Sequence, residues 1–238
     1  MKPESFMKPV SKKLFQELLS GSVAAHGHLC PGQVVGVRLA ILGLRLLGFD
    51  APPTLPQLKR LIVFVEMDRC TGDAVAHVTN VKLGRRSLKF MDYGIMAATF
   101  VDLAAPQAFR IISTEESRDL ARLYAPPGLA KREAQLNAYQ VMPDAAMFRV
   151  QEVEVDLSEF DLPGPTRRKV ACVRCGQTVR DQREVVQQGQ ILCRPCALGA
   201  YFSAPREISW PEMHWSPGSQ DIPEDQESPQ RQAAAGER

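Results

Sequence analysis

The chain of 238 residues lacks several things that would have assigned it quickly. Neither a GxxxxGK[ST] run nor a strand-linked GxGxxG occurs, so phosphoryl transfer on a phosphate-cradling loop and hydride transfer on a dinucleotide fold are not expected. Charge of one sign is also missing. With 29 basic and 27 acidic side chains the formal net charge is +2, which gives no global attraction to nucleic acid or anionic lipid. Long apolar runs are absent. The greasiest stretch, Val34 to Leu47, is broken by Gly36, Arg38, Gly43 and Arg45, too short and too charged to span about 30 Å of hydrocarbon. The first residues, MKPESFMKPVSKK, contain no apolar core of a secretory signal. A cytoplasmic protein without a membrane span is therefore expected. Histidine is scarce, four in all.

What is present is an ordinary globular composition, 45% hydrophobic and 24% charged, sufficient to bury a core without staples. Six cysteines in a reducing compartment point to metal or thiol chemistry rather than disulfides. Leu14, Leu18 and Leu19 recur at helical spacing over 11–25, with Ser11 as N-cap. The run His26-Gly27-His28-Leu29-Cys30-Pro31-Gly32 breaks that helix, and a second is expected over 33–47 with Pro31 near its first turn. The proline-rich loop 49–56 closes it. Residues 60–67 read as a buried strand, followed by a turn at 68–73 and a short helix over 74–79. Short strands are expected at 87–90, 97–103 and 109–112, helices at 115–124 and 129–140, and a closing strand at 148–155.

Pro163-Gly164-Pro165 and the basic run Arg167-Arg168-Lys169 mark a boundary. The expected division is a core domain over 1–162, a four-cysteine module over 163–207, and a polar, disordered tail over 208–238. In the module, Cys172-x2-Cys175 and Cys193-x2-Cys196 stand 17 residues apart, the spacing of paired zinc knuckles. Two intervening residues let each knuckle aim both sulfurs at one ion, and four thiolates make a closed, structural zinc site. A module this small cannot fold on its own core, so the metal supplies most of its stability. Basic residues around it are interrupted by Asp181 and Glu184, so a nucleic-acid partner is not expected.

Two of the four histidines fall within five residues of Cys30. In an extended segment residues two apart face the same side, so His26, His28 and Cys30 line one wall. A thiol at a helix N-terminus is biased toward thiolate, the nucleophilic and ligating form. A functional thiol or metal site and a packed loop both satisfy this pattern. Cys70, at a turn after a strand with Asp68 and Asp73 nearby, adds weight to the first. His77 faces the same cleft or caps a helix. Two thiols and an imidazole suit zinc, nickel or copper(I) better than magnesium.

The segments HGHLCPGQVVGVRLA, EMDRCTGDAVAHVTN and KLGRRSLKFMDYGIMAATF together resemble the FmdE family of formylmethanofuran dehydrogenase proteins over roughly 14–155, and CVRCG…ILCRPCA is similar to the zinc finger that many members append. The resemblance implies an α+β core with a mixed sheet and flanking helices, a treble-clef- or ribbon-like zinc finger, and a homodimer. It implies a pocket lined by His28, Cys30, Cys70 and Asp73, with Cys30, Cys70 and Asp73 the candidates for any catalysis, and His28, Cys30 and Cys70 a second site for a metal or small ligand. It also implies an accessory protein or subunit of a molybdenum or tungsten oxidoreductase. Where the family carries a Gly-Lys-Gly-Asn-like run this chain has Leu83-Gly84-Arg85-Arg86, so Arg85 and Arg86 keep the basic charge that faces an anion. The family lysine that follows an Asp-x-Gly is replaced by Ile95. A docking protein that binds partners through its zinc finger is the alternative.

Overall fold

The computed structural model describes residues 10–105 and 107–208; the expected tail lies outside the described residues except for Ile208. Helix α1 (Lys12–His26) opens at Ser11, whose hydroxyl accepts the Leu14 N–H at 3.1 Å, a side-chain cap for an otherwise unpaired donor. It stops at Gly27, where φ is 96°, a left-handed position suited to glycine. Helix α2 (Pro31–Leu46) follows after four residues, with Cys30 at its N-cap and Pro31 in its first turn. Val34, Val37, Leu39, Ala40 and Leu44 are fully buried, so α2 is the central helix rather than a surface one.

Helix α3 (Leu55–Arg60) lies in the segment whose prolines read as a loop. It forms because Pro56 falls in its first turn, where no N–H is needed, and because Thr54 and Gln57 make a reciprocal capping box. Strand β1 (Leu61–Val65) leads into α4 (Cys70–Thr79), which begins four residues earlier than its apolar spacing suggests. A single 3-10 turn (Leu83–Arg85) precedes β2 (Leu88–Phe90), and then come β3 (Ala97–Asp102), β4 (Gln107–Ser113), α5 (Glu116–Tyr124), α6 (Lys131–Val141), α7 (Asp144–Met147) and β5 (Phe148–Glu152). The strands form one mixed sheet in the order β2-β1-β3-β4-β5. β1 and β2 are parallel, with Val63 opposite Leu88; the other pairs are antiparallel. Helix α4 is the crossover that a parallel pair requires.

Period-two alternation sets the two faces of the sheet. Leu61, Val63, Val65, Ala98, Phe100, Phe109 and Ile111 join the main core beneath the helices. Ile62, Val101 and Ala108 face the other way and are covered by Phe64, Val153, Val155, Leu157 and Leu162, so the extended chain after β5 closes the second face. Helix α2 presses on the sheet through Gly43: a Cβ there would come 2.4 Å from the Phe100 ring. It meets α4 through Gly36, where a Cβ would come 2.6 Å from Ala74 Cβ and 2.7 Å from the Thr71 carbonyl oxygen. The α+β core with its mixed sheet is thus the architecture that the resemblance implies.

The C-terminal module consists of two antiparallel hairpins, β6 (Lys169–Ala171) with β7 (Thr178–Arg180) and β8 (Val185–Gln187) with β9 (Gln190–Leu192), followed by the short helix α8 (Arg194–Leu198). Its apolar cluster holds only Cys172, Leu192 and Cys193, with Val179, Cys196 and Ala197 at the margin. Three polar contacts tie it to the core. Arg86 Nη1 lies 2.8 Å from Asp181 Oδ2, Arg183 Nη2 lies 2.5 Å from Asp161 Oδ1, and Lys89 donates to the Asp161 carbonyl oxygen at 2.7 Å.

Candidate metal centres

The four cysteines of the C-terminal module converge so that all four sulfurs lie within 4.8 Å of one another. Cys172 and Cys175 flank the turn after β6, where Gly176 has φ 73°. Cys193 and Cys196 sit at the N-cap and in the first turns of α8. The Cys175 and Cys193 sulfurs are 3.7 Å apart, against about 3.8 Å expected between ligands on a tetrahedron with zinc–sulfur bonds of about 2.3 Å. Protonation also sets the thiols apart. Backbone N–H groups, first that of Cys193, bring the Cys172 thiol down to about 6. The adjacent Cys193 thiol and burial push Cys196 up to about 12. Four thiols this close resist ionising together unless a cation joins them. The donor set fits a structural zinc.

A second cluster lies in the core domain. A ring nitrogen of His26, the Cys30 sulfur and the Cys70 sulfur are all within 4.8 Å of one another. Each donor is placed by a helix end. His26 is the last residue of α1, Cys30 is the N-cap of α2, and Cys70 is the first residue of α4. Both thiols therefore sit where the positive end of a helix dipole favours thiolate. In the protein without metal, burial and the neighbouring Cys30 thiol push the Cys70 thiol above its ordinary value. Gly32 leaves room for the pair, since a Cβ there would come 3.0 Å from Cys70 Cβ and 3.7 Å from Cys30 Sγ.

His26 is held by an acid. Its Nδ1 lies 2.9 Å from Asp73 Oδ2, while its Nε2 is buried with no hydrogen-bond partner. Asp73 occupies the first turn of α4, one turn beyond Cys70. Two residues that the sequence pattern does not single out complete the support. Gln33, wholly buried, donates from Nε2 to the Cys70 carbonyl oxygen at 2.7 Å and receives the Ser22 hydroxyl on Oε1 at 2.5 Å. Thr71 Oγ1 donates to the Gly32 carbonyl oxygen at 3.2 Å. Gln33 thus stitches α1, α2 and α4 together at the base of the cluster. The only sequence signal for it is a polar residue on an otherwise apolar helix face.

The remaining sequence-derived residues fall elsewhere. His28 is exposed and stacks on His26 with ring centroids 4.7 Å apart; the converging imidazole is that of His26. The reason is local: the segment is not extended throughout, because Gly27 turns left-handed between the two histidines. His77 lies on the exposed side of α4, its ring against Gly21 of α1. Arg85 is exposed, and Arg86 is engaged by Asp181 of the C-terminal module. Among the described residues no helix is long and apolar enough to cross a membrane.

An α+β domain with two helix-starting thiols and a largely buried imidazole at one corner, followed by a four-cysteine zinc module, defines a two-part metal-binding protein. Residues 25–156 match the family described as FmdE, molybdenum formylmethanofuran dehydrogenase operon, and residues 164–202 match the prokaryotic dksA/traR C4-type zinc finger. The chain belongs to the FmdE family. Among curated proteins it is 25% identical over 197 residues to a probable S-adenosyl-L-methionine-binding protein of Archaeoglobus fulgidus, covering 75% of this chain and 51% of that protein. It thus spans about half the length of that relative. A solved structure, that of a tungsten formylmethanofuran dehydrogenase FmdE-like protein from Syntrophus aciditrophicus, shares the fold with a TM-score of 0.51 and 18% identity, over 79% of this chain and 95% of that one.

Proposed function

We propose that the protein is an accessory protein or subunit of a molybdenum or tungsten oxidoreductase of the formylmethanofuran- or formate-dehydrogenase type, and that it holds a second metal ion at His26, Cys30 and Cys70 besides its structural zinc. The observation that carries the metal site is the state of His26. A carboxylate on Nδ1 fixes the tautomer that leaves the lone pair on Nε2, and that Nε2 is buried without a partner in a cluster that also contains two thiols. A buried imidazole nitrogen left unpaired is costly; a metal ion removes the cost. Three soft donors suit zinc, nickel or copper(I). Three protein ligands also leave a position for an exchangeable ligand, unlike the closed four-thiol site.

The oxidoreductase setting is supported by the family's tie to a molybdenum formylmethanofuran dehydrogenase operon and by the likeness to the Syntrophus protein, described as tungsten formylmethanofuran dehydrogenase-like. A cytoplasmic homodimer belongs to the same reading. Its test is elemental analysis of protein purified under reducing conditions and supplied with zinc or nickel. Two metal ions per chain are expected, falling to one in the Cys30→Ser/Cys70→Ser variant. One ion in both proteins sinks the second site. Capture of molybdenum- or tungsten-enzyme subunits by the full chain tests the setting, and failure to capture them removes it.

A docking role for the zinc module is the second reading. It is favoured by Leu198, Tyr201 and Phe202, apolar side chains left exposed at the end of the module. Deleting residues 165–205 then abolishes partner capture while metal in the core domain stays.

A further inference from the structure

A cleft of about 480 Å³ opens where the C-terminal module meets the core, and four arginines line it: Arg86 from the core and Arg180, Arg183 and Arg194 from the module. Among the described residues of its wall, Asp181 is the one acid. That carboxylate is already saturated. Oδ1 accepts the backbone N–H groups of Arg167 and Arg168 at 2.8 and 3.2 Å, and Oδ2 is 2.8 Å from Arg86 Nη1. Arg183 is partly used, bonded to Asp161 at 2.5 Å and to the Phe160 carbonyl oxygen at 3.3 Å. Among the described residues, Arg180 and Arg194 have no ion-pair partner. Their guanidiniums stay charged at any physiological pH.

The contrast with the surroundings matters. Outside the cleft, arginines of the same module are mated: Arg167 with Glu159 at 3.8 Å and Arg168 with Glu184 at 2.6 Å. The two unmated arginines instead share the wall of one cavity. A stripe of alternating acids and bases repels a nucleic-acid backbone as much as it attracts one, whereas a bounded cavity with converging guanidinium forks suits a compact ligand with several anionic oxygens. Its volume lies within the range of small-molecule sites.

We propose that this cleft binds a small oligoanion, a ligand carrying two or more phosphate or carboxylate groups, between the core and the zinc module. Arg180 and Arg194 supply the recognition, and Arg86 fixes the far wall while it holds Asp181. The site is separate from the His26–Cys30–Cys70 cluster and does not depend on a metal there.

The test is calorimetric titration of the full, zinc-loaded chain with inorganic pyrophosphate and, separately, tricarballylate, which distinguish phosphate from carboxylate sources. A saturable, single-site isotherm with at least one of them is expected, weakening as salt is raised. In Arg180→Gln/Arg194→Gln the affinity falls by about tenfold or more, as loss of charge-assisted hydrogen bonds implies. Both replaced side chains are exposed, so melting temperature and zinc content stay at the wild-type level. Absence of saturable binding with both anions overturns the proposal, and so does unchanged affinity in the double variant. A single-stranded oligonucleotide that binds more tightly than pyrophosphate, and tighter with length, overturns it in favour of an extended nucleic-acid surface.

Discussion

Arg86 and Asp181, 95 positions apart, meet at 2.8 Å and fasten the zinc module to the sheet domain. The pair is well shielded, with side-chain exposures of 19% and 8%, so water competes poorly for either charge. Replacing Arg86 with Ala leaves Asp181 facing only two backbone N–H groups and loosens the junction. Limited proteolysis in the 163–168 linker becomes several-fold faster, while zinc content is unchanged because no ligand is altered. Equal cleavage rates would show that the junction does not rely on this pair.

Asp73→Asn separates the carboxylate's role from that of the donors. An amide no longer fixes the Nδ1 proton of His26. Loss of such an outer partner lowers metal affinity by about 10–100-fold. Competition with a chromophoric chelator reads this directly, and the four-thiol zinc serves as an internal standard that does not move.

Gly36→Ala tests the seam between α2 and α4. The new methyl meets Ala74 Cβ at 2.6 Å and the Thr71 carbonyl oxygen at 2.7 Å, and backbone there cannot swing aside. Overpacking of this kind costs about 1–3 kcal/mol, which corresponds to a melting temperature lower by roughly 2–12 °C for a chain of this size. Thermal unfolding followed by circular dichroism is the measurement.

Tyr139 gives the alkaline limit. Burial holds its phenol above the ordinary value of 10, opposed by a hydrogen bond to Ser117. A folded value raised above the unfolded one stabilises fully below about pH 10 and loses that contribution as pH climbs through the folded value. Tyr139→Phe cannot ionise there. Its melting temperature therefore falls less than that of the wild type between about pH 9 and pH 12, and the late step in the phenolate absorbance disappears.

The cysteine spacing at 172–196 was sufficient for the zinc module, because a knuckle is local and its chemistry is written in a few consecutive positions. The main helices and strands were legible for a similar reason: Leu14, Leu18 and Leu19, or the alternation through β1, report burial one element at a time. Helix α3 was hidden since Pro52, Pro53 and Pro56 read as breakers, although Pro56 stands in the first turn, where it is harmless. Choosing between His26 and His28 required knowing that Gly27 reverses the chain between them. Arg86 shows a different limit. Its charge suggested an anion in the core pocket, yet its partner comes from a separate module, and no local pattern encodes a contact of that range.

Cys30 and Cys70 each open a helix, and those two helices touch at Gly36 with no side chain between them. The distance between the sulfurs is accordingly a readout of how α2 crosses α4. A slide or tilt along that seam, whether from a bulkier residue deep in the sandwich or from a partner pressing on α1, reaches the donors as a change in bite. The cluster is built to register the posture of the whole helical layer.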